Sequence, residues 1–236
     1  MADVQLSKSL SWLLRHNAHK LGLRLTSDGY VPVDTVIALN HPRFRKKGRP
    51  LYTTEDVVRV VENNNKQRFR LEMLVFDDES ESVLCIRANQ GHSLKGIESD
   101  ELLTRLTDEV LSGSDLLIIH GTTRKAWEEH IRQEGLSRMK RNHIHFATGL
   151  PEKTGNDEGP RPISGMRSTS EIYIYIDGKK CAGDGVPFYR SDNGVILTAG
   201  VNEKGILPTS YFDKVVYAPS GKVLWGRGIE KKSNAC

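Results

Sequence analysis

Apolar residues recur at Leu6, Leu10, Leu13 and Leu14, the i, i+4, i+7, i+8 spacing that lines one face of a helix. Gly22 is the expected end of that region. Ser27-Asp28-Gly29 reads as a turn, with a short strand over Tyr30-Val31-Pro32-Val33 and a helix starting from Asp34. Thr54 is a candidate N-cap for another helix with Val57, Val58 and Val61 as its apolar face, and Asn63-Asn64-Asn65 breaks it. From Arg68 to Leu71 polar and apolar residues alternate as in a strand, which puts Arg68 and Arg70 on one face. A strand over Val83–Ile86 then runs into Arg87-Ala88-Asn89-Gln90-Gly91-His92-Ser93. Small helices joined to a short hairpin make a winged-helix-like unit.

Asp77 to Glu81 and Ile97 to Glu109 are acidic, and the texture changes after Ile97 to Gly113, which reads as a linker and a polar helix. Beyond it, Leu116 to Ile119 is an expected buried strand leading into His120-Gly121-Thr122, followed by a helix over Arg124–Glu134. Strands are expected at Ile144–Phe146, Glu171–Ile176, Gly194–Thr198 and Val215–Tyr217, with Asp192-Asn193-Gly194 as a hairpin turn. Pro151 to Ser170 reads as a long surface loop. The predicted class is α+β: a first lobe over 1–96, a β-rich second lobe over 97–228 and a tail over 229–236.

Composition bounds the function without choosing it. The 236 residues are 37% hydrophobic and 27% charged, as expected of a globular protein able to bury a core in each lobe. No apolar run approaches the roughly 18 residues of a membrane span, and Lys8 and Ser9 interrupt any secretory h-region. Cys85, Cys181 and Cys236 are scattered and odd in number, which points to a reducing compartment and away from a disulfide framework or a zinc site. The expected location is intracellular, cytoplasmic or nuclear, without membrane or metal. The net charge of +4 says little; the basic run Arg43, Arg45, Lys46, Lys47, Arg49 reads first as a solvated loop and second as an RNA-facing surface.

Candidate chemistry is weak residue by residue. Arg15-His16 at the polar edge of the first helix suits a helix C-terminus; Arg68 suits an exposed strand; Arg141 and His143 suit a solvated edge; His120 suits a buried, satisfied histidine. Taken in order, however, Leu13-Leu14-Arg15-His16, Lys66-Gln67-Arg68-Phe69, Arg87–Ser93, His120-Gly121-Thr122, Met139–His145 and Asn193-Gly194-Val195-Ile196-Leu197 form one set.

Over roughly Leu6 to Trp225 this set resembles the tRNA 2′-phosphotransferase family. The resemblance implies a winged-helix RNA lobe followed by a lobe of the ADP-ribosyltransferase fold. It also implies a reaction in which 2′-phosphorylated RNA and NAD give 2′-OH RNA, nicotinamide and ADP-ribose 1″,2″-cyclic phosphate, through a 2′-phospho-ADP-ribosylated RNA. Arg15, His16 and Arg68 would then cradle the phosphate, with Gln90 and His92 among the RNA contacts and Arg141 reaching the phosphate from the NAD lobe. The motif match favours Arg68 over Arg70 for this role. His120, Gly121, Thr122, His145 and Val195 would serve NAD. Val195 stands where protein-modifying relatives carry a catalytic glutamate, which argues against transfer to protein side chains. No GxGxxG follows a strand, so a Rossmann dinucleotide site is not expected. The implied partners are tRNA with a splice-junction 2′-phosphate and NAD, and the implied state is a monomer. Two other readings share the motifs: a transferase that caps terminal phosphates of nucleic acid with ADP-ribose, and a non-catalytic RNA-binding module.

Overall fold

The computed structural model describes residues 2–46, 49–76, 81–151, 163–201 and 203–226. Lys47 of the basic run, most of the acidic 77–81 stretch, positions 152–162 of the expected surface loop, Cys236 and the expected tail lie outside the described residues. The chain divides into two compact units, Met1–Leu103 and Thr104–Cys236.

In the first unit, the helix Ala2–Trp12 buries Leu6 and Leu10 and runs into one widened π turn, Leu13–Asn17, that buries Leu13 and Leu14. The predicted stripe is therefore the core face. Gly22 ends the region with a left-handed φ of 74°. The helix Thr54–Glu62 starts one residue earlier than the sequence suggested. Thr53 caps it: its hydroxyl accepts from the Asp56 N–H at 3.3 Å, and the Asp56 carboxylate accepts from the Thr53 N–H at 3.0 Å. That geometry turns Val57 and Val60 inward and leaves Val58 at the margin, a correction of one position in the expected face.

The hairpin Phe69–Val75 with Ser82–Ala88 pairs in register Phe69↔Ala88 and Leu71↔Ile86. Val31–Pro32 adds an antiparallel third strand on the Ser82–Ala88 side. One core holds helices and sheet together, built from Leu6, Leu10, Leu13, Leu14, Val33, Phe44, Val57, Phe69 and Ile86. The basic run begins a small hairpin, Arg45–Lys46 against Arg49–Pro50. Its Arg43 stacks on Trp12 at 4.7 Å. The stretch expected as a linker is ordered: Glu98 N–H donates to the Ser27 carbonyl at 2.9 Å, and the helix Ser99–Leu102 follows.

The second unit is built on two four-stranded antiparallel sheets. One runs Lys222–Gly226, Phe212–Tyr217, Ile172–Ile176, Ile119–Thr122; the other runs Thr104–Arg105, Tyr189–Arg190, Ile196–Thr198, Ile144–Phe146. They join where Ile119 and Ala147 exchange N–H to carbonyl bonds of 3.0 and 2.8 Å. Ile172, Ile174 and Ile176 face the core while Tyr173 and Tyr175 take the other face, the period of two that a half-buried strand requires. Trp127, Phe146, Phe188, Phe212 and Val215 fill the space between the layers. Truncating one such side chain to alanine costs about 2–5 kcal/mol.

Where the sequence placed a strand at Leu116–Ile119, the strand is Ile119–Thr122. The pairing Ile119↔Tyr175 through Thr122↔Ile172 decides this, so His120-Gly121-Thr122 lies within the strand rather than beyond it. Thr104–Arg105, Tyr189–Arg190, Ile206–Leu207 and Lys222–Gly226 are strands that local pattern did not reveal. All ladders named here are antiparallel and no βαβ crossover links them, which gives a mixed α+β protein. No helix among the described residues is long and apolar enough to cross a membrane.

Candidate functional site

Arg15 and His16 sit on the π turn Leu13–Asn17, half-buried, while Leu13 and Leu14 anchor it to the core. Such widened turns are common where a helix must present side chains for function. The loop after Ser82–Ala88 meets this turn. Ser93 N–H donates to the Arg15 carbonyl at 2.9 Å, and Ser93 Oγ lies 2.9 Å from His16 Nδ1. Gly91, at φ 89°, takes a conformation that side chains rarely adopt, and the Arg15 side chain lies along it.

The same loop holds Arg68. Asn89 N–H donates to the Arg68 carbonyl at 2.9 Å, and Asn89 Nδ2 donates to the Gln67 carbonyl at 2.8 Å. Arg68 lies one residue before the strand Phe69–Val75, and it and Arg70 take different partners. Arg70 pairs with Glu72 at 3.2 Å, whereas Arg68 Nη1 donates to the amide oxygen of Asn64 at 3.2 Å. An amide does not neutralise a guanidinium. Burial holds Arg68 below the usual arginine range, and Lys66 is lowered by burial and then by the charge of Arg68. Gln90 is half-buried beside this loop, and His92 is buried with its ring against Gly29.

Among the described residues, the non-glycine positions with positive φ are Gln67 at 43° and Met139 at 56°. Each adjoins a turn that presents one of the candidate arginines, Arg68 and Arg141. Left-handed backbone at such residues costs about 1–2 kcal/mol, and strain of this kind concentrates at functional sites.

Asn89, Asn64 and Ser93 are functional candidates that residue-type reasoning missed. Asn89 and Ser93 were visible inside the Arg87–Ser93 motif but carry no charge to draw attention. Asn89→Leu keeps the volume and removes the clamp on Gln67. It is expected to weaken binding of a phosphate-bearing ligand at this cluster about tenfold, the worth of one hydrogen bond that orients a charged group. Unchanged affinity by calorimetric titration would return Asn89 to a purely structural role.

In the second unit, His120 Nδ1 lies 2.9 Å from the His145 carbonyl oxygen. A carbonyl only accepts, so Nδ1 carries the proton and Nε2 is left as an acceptor. Burial, then the charges of Arg167 and Arg141, hold His120 below its ordinary value against the opposing pull of that carbonyl; the ring is neutral at pH 7. Phe146 packs edge-on to it at 5.9 Å. Ile119 exchanges its backbone bonds with Ala147, so two residues on, by strand alternation, the Gly121 N–H and C=O point to the same side. Thr122 ends the strand, and Thr123 caps the helix that follows. His145 is buried on the strand Ile144–Phe146, the last of its sheet. Val195 is fully buried, with its N–H donating to Ser191 Oγ at 3.2 Å; it offers no polar side chain.

Arg141 is exposed on the turn that leads into Ile144–Phe146, its N–H donating to the Arg138 carbonyl at 3.1 Å. Desolvation and then the Arg167 charge lower its pKa. His143, expected at a solvated edge, is instead buried against Tyr189, and burial with the nearby Arg138 pushes it down to about 4. Its folded value lies below its unfolded one, so its contribution is complete above about pH 6.5 and is lost as pH falls towards 4. The loss is on the order of 3 kcal/mol. Melting temperature against pH should therefore fall more steeply in the native chain than in His143→Gln across that window; parallel curves would contradict it.

Comparison with known proteins decides between these readings at the family level. A model of the RNA 2′-phosphotransferase, Tpt1 / KptA family matches residues 1–200. The chain belongs to that family. It is 45% identical over 98% of its length to a tRNA 2′-phosphotransferase 1 of Bos taurus, of which it covers 83%. It is 37% identical over 91% of its length to a tRNA 2′-phosphotransferase of Saccharomyces cerevisiae, covering 84% of that protein. A Schizosaccharomyces pombe relative is 43% identical over 98% of this chain, which spans 56% of that protein's length. The expected membership in a family of RNA-directed transferases is thus established.

Proposed function

We propose that this chain removes a 2′-phosphate from RNA, with tRNA as the natural substrate and NAD as the acceptor. The first unit is read as a winged-helix RNA lobe and the second as an ADP-ribosyltransferase-fold NAD lobe. The observation that carries the reading is the convergence of Arg15, His16 and Arg68 on one loop, Asn89 to Ser93, with the Arg68 guanidinium on the Asn64 amide oxygen. A phosphomonoester near its dianionic form needs always-charged, planar donors, and arginine forks supply them.

The second unit's residues fit a dinucleotide. A carboxamide takes one donor and one acceptor, which the Gly121 N–H and C=O offer on one side of the strand. The neutral His120 has Nε2 available to accept from a ribose hydroxyl. NAD supplies a ribose carbon made electrophilic by the loss of nicotinamide. The RNA phosphate attacks that carbon while the carbon–nitrogen bond breaks and its electron pair leaves with nicotinamide. Arg15 and Arg68 position this nucleophile, which is already anionic and needs no base. In the second step the 2″-hydroxyl bonds to phosphorus, loses its proton, and the RNA 2′-oxygen departs as a hydroxyl. His16, oriented by Ser93, moves the proton, and Arg141 stabilises charge on the phosphoryl oxygens. With Val195 where a carboxylate would stand, nothing at that position activates a protein side chain.

The test is a short RNA bearing one internal 2′-phosphate, incubated with and without NAD and with chelator. Phosphate removal with nicotinamide release is expected only with NAD, and undiminished in chelator. Equal removal without NAD would refute the reading; ADP-ribose retained on the RNA as the end product would replace it with phosphate capping.

A further inference from the structure

The basic run of the first unit folds against the end of the first helix, next to the turn that carries Arg15 and His16. Phe44 is fully buried and anchors the run. Its N–H and that of Arg45 donate to the His41 carbonyl at 2.9 and 2.8 Å, and the Leu51 N–H donates to the Phe44 carbonyl at 2.8 Å. Those bonds close the hairpin of Arg45–Lys46 with Arg49–Pro50. Arg43 and Arg45, on either side of Phe44, are half-exposed, and Arg49 is exposed. Arg45 Nη2 donates to the Ala38 carbonyl at 3.3 Å, which holds its stem along the same segment.

Aromatic contacts fix Arg43. Its guanidinium carbon lies 4.7 Å from the Trp12 ring centroid, and the His41 ring lies 4.8 Å from that ring at an interplanar angle of 30°. The Arg43 N–H donates to His41 Nδ1 at 3.2 Å, which orients the imidazole. The Trp12 carbonyl accepts from the Asn17 side-chain amide at 3.0 Å. A guanidinium stacked on a ring uses its face and keeps its in-plane N–H donors for another acceptor. So held, it loses little freedom when a phosphate binds. Trp12 ends its helix and His16 follows four residues on, so about one turn separates this stack from the phosphate cluster.

We propose that Arg43, Arg45 and Arg49, with Trp12 as the platform for Arg43, form a docking surface for the phosphodiester backbone of the RNA strand that flanks the 2′-phosphate. The surface rests on the RNA substrate read above, but needs neither NAD nor the 2′-phosphate itself. Each nucleotide of that strand carries one negative charge, which arginine forks recognise whatever the sequence. The surface supplies affinity and position to a polynucleotide and nothing to an isolated nucleotide.

Fluorescence anisotropy of a labelled single-stranded RNA of about 12 nucleotides, a length such surfaces track, tests it with the full chain. The RNA is used with and without an internal 2′-phosphate. The triple variant Arg43→Ala, Arg45→Ala, Arg49→Ala is expected to bind both RNAs at least about tenfold more weakly at low salt, since it loses charged contacts to phosphate. The slope of log affinity against log salt should shrink by about 2, at about 0.7 per contact on a single strand. Affinity for a nucleoside 2′-monophosphate should not change. Arg43→Lys should bind RNA more weakly than the parent, because it keeps the charge and loses the stacked fork. A control, Lys125→Ala, Arg132→Ala, Lys179→Ala, removes three exposed cations of the second unit and should leave RNA affinity and slope near those of the parent. Unchanged affinity and slope for unmodified RNA in the triple variant, an equal loss in the control, or an equal loss for the nucleoside monophosphate overturns the proposal. A loss seen only for an acidic peptide gives the face to a protein partner and overturns it too. The expected loss of unmodified RNA, in a chain whose parent removes no 2′-phosphate with NAD, keeps the surface and overturns the function proposed above instead.

Discussion

Replacing Arg68 by alanine is expected to abolish phosphate transfer, by about 10³-fold or more, while leaving the protein as stable as before or slightly more so. The reason lies in its partners. Its guanidinium is desolvated and, among the described residues, meets the Asn64 amide oxygen rather than a carboxylate, so truncation removes a charge whose burial opposes folding. A donor aimed at developing phosphoryl charge is worth about 10²–10³ in rate, and Arg68 also positions the substrate. Arg15→Ala should be equally inactive, with stability lowered by the packing lost along Gly91. Arg87→Ala provides the contrast. Arg87 is buried in an ion pair with Asp28 at 2.9 Å and stacks on Tyr30 at 4.8 Å. Breaking such a pair typically costs about 3–5 kcal/mol; the half-exposed Asp28 places this one near the lower end. Parallel denaturation curves and single-turnover rates separate the classes. A folded, fully active Arg68→Ala would remove Arg68 from the phosphate site.

Arg141→Ala is expected to slow the second chemical step by about 10²–10³ and the first step by less. Attack of an existing anion on the ribose carbon spreads charge that is already present. Attack of the 2″-hydroxyl on phosphorus concentrates negative charge on the non-bridging oxygens of a crowded centre, and a guanidinium facing them is worth more there. RNA carrying a 2′-phospho-ADP-ribose adduct should therefore rise and then decay during a single turnover with excess enzyme, visible as a slower band on a gel. Slow loss of substrate with no such band would assign Arg141 to dinucleotide binding or to the first step.

What could be read from the chain without coordinates was whatever local spacing or an ordered set of motifs encodes. The Leu6, Leu10, Leu13, Leu14 stripe is the core face of its helix, because a period of 3.6 is a property of the residues alone. The strand Ile144–Phe146 fell where the sequence placed it, and six motifs in order sufficed for the family. Short edge strands such as Tyr189–Arg190 were not legible, since two residues carry no period and exist only through their pairing with Ile196–Leu197. The start of Ile119–Thr122 was misjudged for the same reason: its register belongs to the partner strand Ile172–Ile176.

The arginines mark the division most sharply. By residue type alone Arg68, Arg70 and Arg87 are like cations near a predicted hairpin, and only the motif match favours Arg68. Tertiary structure sends Arg70 to Glu72, Arg87 to an Asp28 that is 59 residues away, and Arg68 to an amide. Met166, in a stretch that reads as loop, is buried against Ile119 and Ala147 because Gly165 beside it and the distant Gly121 leave room for the approach. Whether a charge serves the fold or remains available to a phosphate depends on which carboxylates lie within about 4 Å, a distance that folding sets and that spacing along the chain does not.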